Sequence, residues 1–230
     1  MALVHPLELA HLPNVAVHAA LFDSVANAAD LRRHLLDGNP DYEYAFLDVT
    51  TILSTTHVLA AVFRAVNDAL HNRLKSRNVH SEVVFCLSPN NNIAESFRRF
   101  GIQDSTRTLL AIKITSTASS SSSPSSSTTH PSSPFPSLPA HSISSHLTAN
   151  VHGTPLPFTD AAIAPFTDLA RVRKIYKLDA AAPSARGKNP KKGQAAPPPL
   201  PVNGVGGEKK EGGRAEMEAC VLGMMALRGS

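Results

Sequence analysis

The densest set of side chains able to do chemistry lies between residues 73 and 104, in RLKSRNVHSEVVFCLSPNNNIAESFRRFGIQD. Arg73, Lys75 and Arg77 precede an apolar run. A Pro-Asn-Asn-Asn turn then feeds a helical pattern with Arg98 and Arg99 near its far end. A helix N-terminus presents free backbone amides and a partial positive charge, which suits a phosphate or the polar edge of a nucleotide. The same residues also read as a capped turn and a solvated cationic face, and local signal alone favours that plainer reading. A second set, His57 and His80 with Ser54, Ser81 and Ser88, could be arranged for hydrolysis. It lacks a strained turn and an orienting acid, which such chemistry requires.

Other motifs of catalysis are missing. There is no GxxxxGK[ST] phosphate loop, no GxGxxG and no GxSxG elbow. Gly204, Gly206 and Gly207 fall in a Pro/Gly-rich tract and not between a strand and a helix. Asp41 and Glu43 flank a turn, which they solvate. The sequence has no CxxC, HxH or HxxxH spacing, so no metal set is expected. Its two cysteines, Cys86 and Cys220, sit in apolar surroundings and read as buried thiols of a reducing compartment.

These residues must be positioned by a chain of 230 residues, 42% hydrophobic and 17% charged. No apolar run approaches the ~18 residues of a membrane helix. The opening MALVHPLELAHLPN has no basic segment and contains Pro6 and Pro13, so a secretory signal is not expected. The net charge of +4 does not signal nucleic-acid binding by bulk charge. Residues 180–214 hold seven basic and two acidic residues, which leaves the remainder close to neutral.

Two tracts are too poor in apolar residues to fold: 116–137, dominated by Ser, Thr and Pro, and 180–214, with PPPLP, glycines and lysine pairs. They read as a disordered insertion and a basic disordered linker, the latter with a candidate nuclear-import patch at Lys188 to Lys192. Loop expansion without a role is the favoured reading of both, since added loop length costs little stability. The domain would then comprise residues 1–115, 138–179 and a terminal helix in 215–230.

Period-two alternation of Val15, Val17, Ala19 and Leu21 predicts a strand buried on one face. Asp23 caps a helix to Leu36, ended by Gly38. Residues 44–49 (YAFLDV) are a strand. Ser54 or Thr55 opens a helix to about residue 74, with Val58, Leu59, Val62, Phe63, Val66 and Leu70 as its apolar set. Residues 82–87 (EVVFCL) read as a buried strand. Asn92 caps a helix over 93–100, with Glu95 bonding back to the cap amide, Gly101 in a left-handed conformation and Ile102 against Phe97. A strand at 108–114, a helix at 143–150, an extended piece at 152–158 and helices at 170–176 and 215–227 complete the pattern. The expected fold is a single α/β domain with a mixed, largely antiparallel sheet packed against several helices.

The string RNVHSEVVFCLSPNNNIAESFRRFGIQD, then RVRKIYKLD at residues 171–179, then the terminal ALRG at 226–229, resembles the TPRKB family. These are small accessory subunits of the KEOPS (EKC) complex. The likeness covers the whole core and skips the two low-complexity tracts. It implies a non-catalytic subunit that binds the complex's atypical kinase-like ATPase and helps it hold tRNA by the single-stranded 3′ CCA end. The complex installs threonylcarbamoyl on the adenosine beside the anticodon, and the chemistry belongs to a separate metal-dependent transferase subunit. The resemblance implies no cofactor, a nuclear and cytoplasmic location, and a connection of the complex to telomeres.

Given that resemblance, a single-stranded end requires cations for phosphates and flat or apolar surface for bases. With no Trp in the chain, a small pocket is expected. Ile93 would form its floor, Asn91 and Asn92 would meet base edges, and Lys75, Arg77 and Arg98 would meet phosphates. Arg173 and Lys174 are second-tier RNA candidates that equally complement a helix end. For the kinase subunit, Met217, Val221, Met224 and Met225 form an adaptable stripe on the last helix, which could instead be plain core. A scaffold that regulates the kinase without touching RNA, and a small Ser/His hydrolase, are the alternatives.

Overall fold

The computed structural model describes residues 4–7, 9, 11–12, 14–117, 134–178 and 208–228, the side chains of 208–212 excepted. Five strands, β1 (His5–Leu7), β2 (Val15–Asp23), β3 (Ala45–Asp48), β4 (Leu109–Ser116) and β5 (Thr154–Leu156), pair in the order β1-β2-β4-β3. β5 takes the part of the β2 edge that β1 leaves open, and every pairing among them is antiparallel. The expected α/β class stands, with no parallel pair among the described strands.

The alternation in β2 is misleading. Val15, Val17, Ala19 and Leu21 face one core, and Ala20 and Phe22 face another. The strand is therefore buried on both faces, not one. Behind the second face lie α1 (Ala28–Leu36) and α5 (Ala140–Asn150). On the first lie α2 (Thr55–Leu70), α3 (Val79–Cys86), α4 (Ile93–Phe100), α6 (Asp160–Ile163), α7 (Leu169–Tyr176) and α8 (Glu208–Leu227).

Three local expectations fail for identifiable reasons. Residues 82–87 are not a strand: they belong to α3, capped by the Asn78 side chain, which accepts from the Ser81 amide at 2.8 Å. A short apolar run has no period that separates a strand from a buried helix. Asp23 ends β2 and accepts from the Thr108 hydroxyl, while α1 begins at Ala28. Its preceding residue, Asn27, spends its amide side chain on the Asn150 carbonyl and the His152 amide, joining α1 to the end of α5. Gly101 is extended (φ −74°) and not left-handed. A Cβ there would meet the Phe97 carbonyl oxygen at 2.7 Å, so close approach selects glycine. Ile102 joins the second core, while Phe97 packs against the first.

The tract boundaries also move. Residues 118–133 and 179–207, with the Lys188 to Lys192 patch, lie outside the described residues. Ser116 is in β4, and Phe135 is buried in the first core although its surroundings are serine and proline. α8 starts at Glu208, inside the expected linker. Cys86 is buried as expected, but Cys220 is exposed.

Buried polar groups lock the helices to the sheet. The Leu53 amide donates to His57 Nδ1 at 3.2 Å, so the ring proton sits on Nε2 and goes to the Tyr176 hydroxyl at 2.8 Å. Tyr176 in turn donates to the Leu87 carbonyl, which links α2, α7 and the end of α3. His80 Nε2 accepts from the Ile114 amide of β4 at 3.0 Å.

Burial pushes both histidines down to about 3. Each is neutral in the folded state and binds a proton on unfolding below its ordinary value. Stability is therefore complete above about pH 6.5 and falls as pH drops toward 3, by up to ~1.4 kcal/mol per pH unit for each histidine. Urea midpoints between pH 7 and 5 should show a shallower slope for His57→Gln than for wild type; identical slopes would contradict the assignment. Phe135→Ala should cost about 3 kcal/mol in the same measurement, against no change if residue 135 were outside the core.

Candidate functional site

Residues 88–92 leave α3 in a turn built from side-chain hydrogen bonds. The Ser88 hydroxyl donates to Asn90 Oδ1 at 3.0 Å, and the same oxygen accepts from the Asn92 amide at 3.2 Å. Asn90 Nδ2 donates to Glu95 at 2.9 Å, and Asn92 Oδ1 accepts from the Glu95 amide at 3.0 Å. Asn92 is thus the cap the sequence predicted. Glu95, expected to bond back to the cap amide, instead takes Asn90, Arg98 and Arg99. In this first turn of α4 the amides of Ile93 and Ala94 have no helical acceptor.

Asn91, Asn92 and Ile93 are exposed together at this N-terminus, Ile93 to 37%. Arg98 is exposed at the other end of α4, 3.4 Å from Glu95. Lys75 and Arg77 are exposed in the loop before α3. Arg77 lies against Gly38, where an added side chain would strike its guanidinium. The eight residues of α3, Val79–Cys86, lie between that loop and the Asn turn. Arg173 and Lys174 are exposed on the last turn of α7. Arg171 is tied inward to Asp48 at 3.3 Å and to the Thr50 hydroxyl at 2.7 Å.

A cleft of about 600 Å³ lies beside the turn. Pro89, Asn90, Glu95 and Arg99 form one wall, Ile175 to Lys177 of α7 another, and Met224, Leu227 and Arg228 of α8 the third. The structure thus brings α4, α7 and α8 to one place, and leaves Lys75 and Arg77 outside it.

The stripe on α8 is divided. Met217, Val221 and Met225 are buried in the first core and Met224 is half-buried. Three of the four candidate partner-binding residues therefore face this domain itself, because α8 lies alongside α2 and fills the layer over the sheet. The outward apolar surface is a groove of about 580 Å³ between α2 and α8, walled by Leu59, Phe63, Leu222, Met225 and Ala226. Phe63, assigned from its spacing to the inward set of α2, is 43% exposed. Sequence periodicity missed this groove because it counted Phe63 with the core. Leu227, beyond the groove, is 73% exposed.

The Ser/His residues are absorbed by the fold. Both ring nitrogens of His57 are engaged as above. Ser54 Oγ caps α2 at the His57 amide and donates to Glu218 at 2.5 Å. Asp68, Glu82 and Cys86 bring ligand atoms within 4.8 Å of one another. Each has other partners: Arg73 at 3.1 Å for Asp68, two amides and the Ser76 hydroxyl for Glu82, and Arg228 for Cys86. Burial pushes the Cys86 thiol up to about 11. Among the described residues no helix is long and apolar enough to cross a membrane.

Residues 22–229 match the family model described as kinase binding protein CGI-121. The chain is 43% identical over 224 residues to the EKC/KEOPS complex subunit cgi121 of Aspergillus terreus, covering 97% of this chain and 96% of that one. Its counterpart of the same name in Aspergillus fumigatus is 46% identical over 177 residues, 75% and 84% of the two chains. The one in Schizosaccharomyces pombe is 29% identical over 167 residues, 73% and 84%. A family match spanning nearly all of the chain agrees with the likeness carried by LSPNNNI and RKIYKL. The chain belongs to the CGI-121 family of kinase-binding proteins.

Proposed function

We propose that this chain is a non-catalytic accessory subunit of a KEOPS (EKC) complex. It docks the small kinase-like ATPase subunit through the α2/α8 groove and presents the Asn turn to the 3′ CCA end of tRNA. The observation that carries the docking half is the exposure of Phe63, with half-buried Leu222 beside it, along an apolar groove in a chain of the kinase-binding family. A large aromatic left partly exposed in such a groove is the kind of anchor that dominates interface energy. The relatives named as KEOPS subunits supply the complex. Through the kinase the chain would reach the metal-dependent transferase and the other subunits. A nuclear and cytoplasmic location and a part in telomere maintenance follow from the same assignment.

The RNA half rests on the α4 N-terminus: two amides without a helical acceptor, the exposed side chains of Asn91, Asn92 and Ile93, and Arg99 and Lys177 along the adjoining cleft, with Arg173 and Lys174 exposed on α7. Arg98 and Arg99 both spend charge on Glu95. That pairing favours the rival reading, a scaffold that regulates the kinase without touching RNA. The salt dependence of binding separates the two, since each phosphate contact steepens the fall of log affinity with log salt.

Phe63→Glu, a change at a partly exposed site, should weaken kinase-subunit binding at least tenfold, roughly the loss of one anchor. Retained affinity would move the docking face elsewhere. Ile93→Glu should weaken tRNA binding several-fold and leave the urea midpoint unchanged. tRNA lacking its terminal CCA should bind as poorly to wild type as intact tRNA does to the variant. Equal affinity for tRNA with and without CCA would leave the scaffold reading.

A further inference from the structure

Arg228 is only 6% exposed, although it carries a guanidinium and lies in the ALRG string at the end of α8. It donates to the carbonyls of Phe85 and Ser88, the latter at 2.9 Å, and lies over the Phe85 ring at 4.0 Å. Its own carbonyl and that of Met225 each accept from Arg64 of α2 at 2.6 Å. Arg64 therefore caps α8 with the charge that a helix C-terminus favours. The last turn of α8 is fastened on both sides: to α2 by Arg64, and by Arg228 to the residues where α3 gives way to the Asn turn.

Ser88, held through its carbonyl, is also the first member of the hydrogen-bond chain Ser88–Asn90–Asn92–Glu95 that opens α4. A buried guanidinium is costly to desolvate, and an apolar residue of its size would pack at lower cost. What an apolar residue could not do is hold two carbonyls at a helix end at once. We infer that Arg228 is a positioning residue. It fixes the Ser88–Asn92 turn in the conformation that presents the α4 N-terminus, and so makes RNA binding at the turn depend on the docked end of α8. This inference rests on the RNA reading of the turn, but its first readout does not.

The test uses the full chain with Arg228→Met, which removes the donors and keeps the apolar stem, and Arg228→Lys, which keeps one cationic donor. Amide hydrogen exchange at residues 90–96 should quicken about tenfold in Arg228→Met and less in Arg228→Lys, the size expected for losing a buried charge-assisted bond. Affinity for an oligonucleotide ending in CCA should fall in the same order, while kinase-subunit affinity stays within about twofold of wild type. Unchanged exchange in Arg228→Met overturns the inference whatever RNA does. Faster exchange with unchanged oligonucleotide affinity overturns its functional half, and equal loss of kinase affinity reduces Arg228 to general support of α8. Should Arg228→Met not fold, Arg228→Lys carries the comparison alone. If Ile93→Glu leaves oligonucleotide affinity intact, the RNA reading falls, and the exchange result still decides whether Arg228 orders the turn.

Discussion

β2 and β4 lie opposite each other for eight residue pairs, from Val15 and Ser116 to Phe22 and Leu109, and every apolar side chain of the two strands except Ala16 is buried. Apolar surface on both sides of one sheet has to be covered by two separate helical layers. That requirement distributes the rest of the chain. α1 and α5 cover one face, tied to each other by Asn27. The remaining helices cover the other face, where α2 packs on α3 and α8 lies against α2. Because six helices crowd one layer, polar contacts between their ends decide how they sit. The His57–Tyr176–Leu87 relay and the Arg64 and Arg228 contacts are those fastenings.

Legibility in the sequence followed the strength of local signals. α2 and α4 were readable because each combines a side-chain cap, Ser54 or Asn92, with apolar residues at helical spacing. α4 matched its expected limits for that reason. α3 was not readable: its cap, Asn78, lies in a polar loop that drew attention for its cations. Its eight residues are buried on nearly every side and include three valines, which bias a short run toward a strand. The start of α1 was misplaced because Asp23 has a cap's chemistry but serves a strand's end. Phe135 was hidden by its serine neighbours, since one aromatic cannot outweigh a composition.

The site was legible in part. The Asn turn was identified as a helix start with exposed polar groups, and that is how it is built. Lys75 and Arg77, grouped with it from the sequence, lie in the loop at the other end of α3 and do not line the cleft beside the turn. On α8 the methionine stripe was recognised, but a sequence does not tell which side of an apolar helix meets its own domain. The partition came from tertiary packing: α8 buries Met217, Val221 and Met225 and leaves Leu222 to form, with Leu59 and Phe63, a surface that no single helix encodes. The last turn of α8 is consequently a shared wall, with Met225 on the groove side and Met224, Leu227 and Arg228 on the cleft side.

Both strands on the outer edge of β2 are three residues long, and each has proline at its centre, Pro6 in β1 and Pro155 in β5. Proline has no N–H to offer a neighbouring chain, and strands this short give little length to template against. On the opposite side, Gly101 bridges to Leu47 and the Ile102 amide donates to the Phe46 carbonyl, so β3 is occupied too. Strand addition is thereby discouraged at either margin of the sheet. Self-association into extended β-structure is disfavoured by the same few residues.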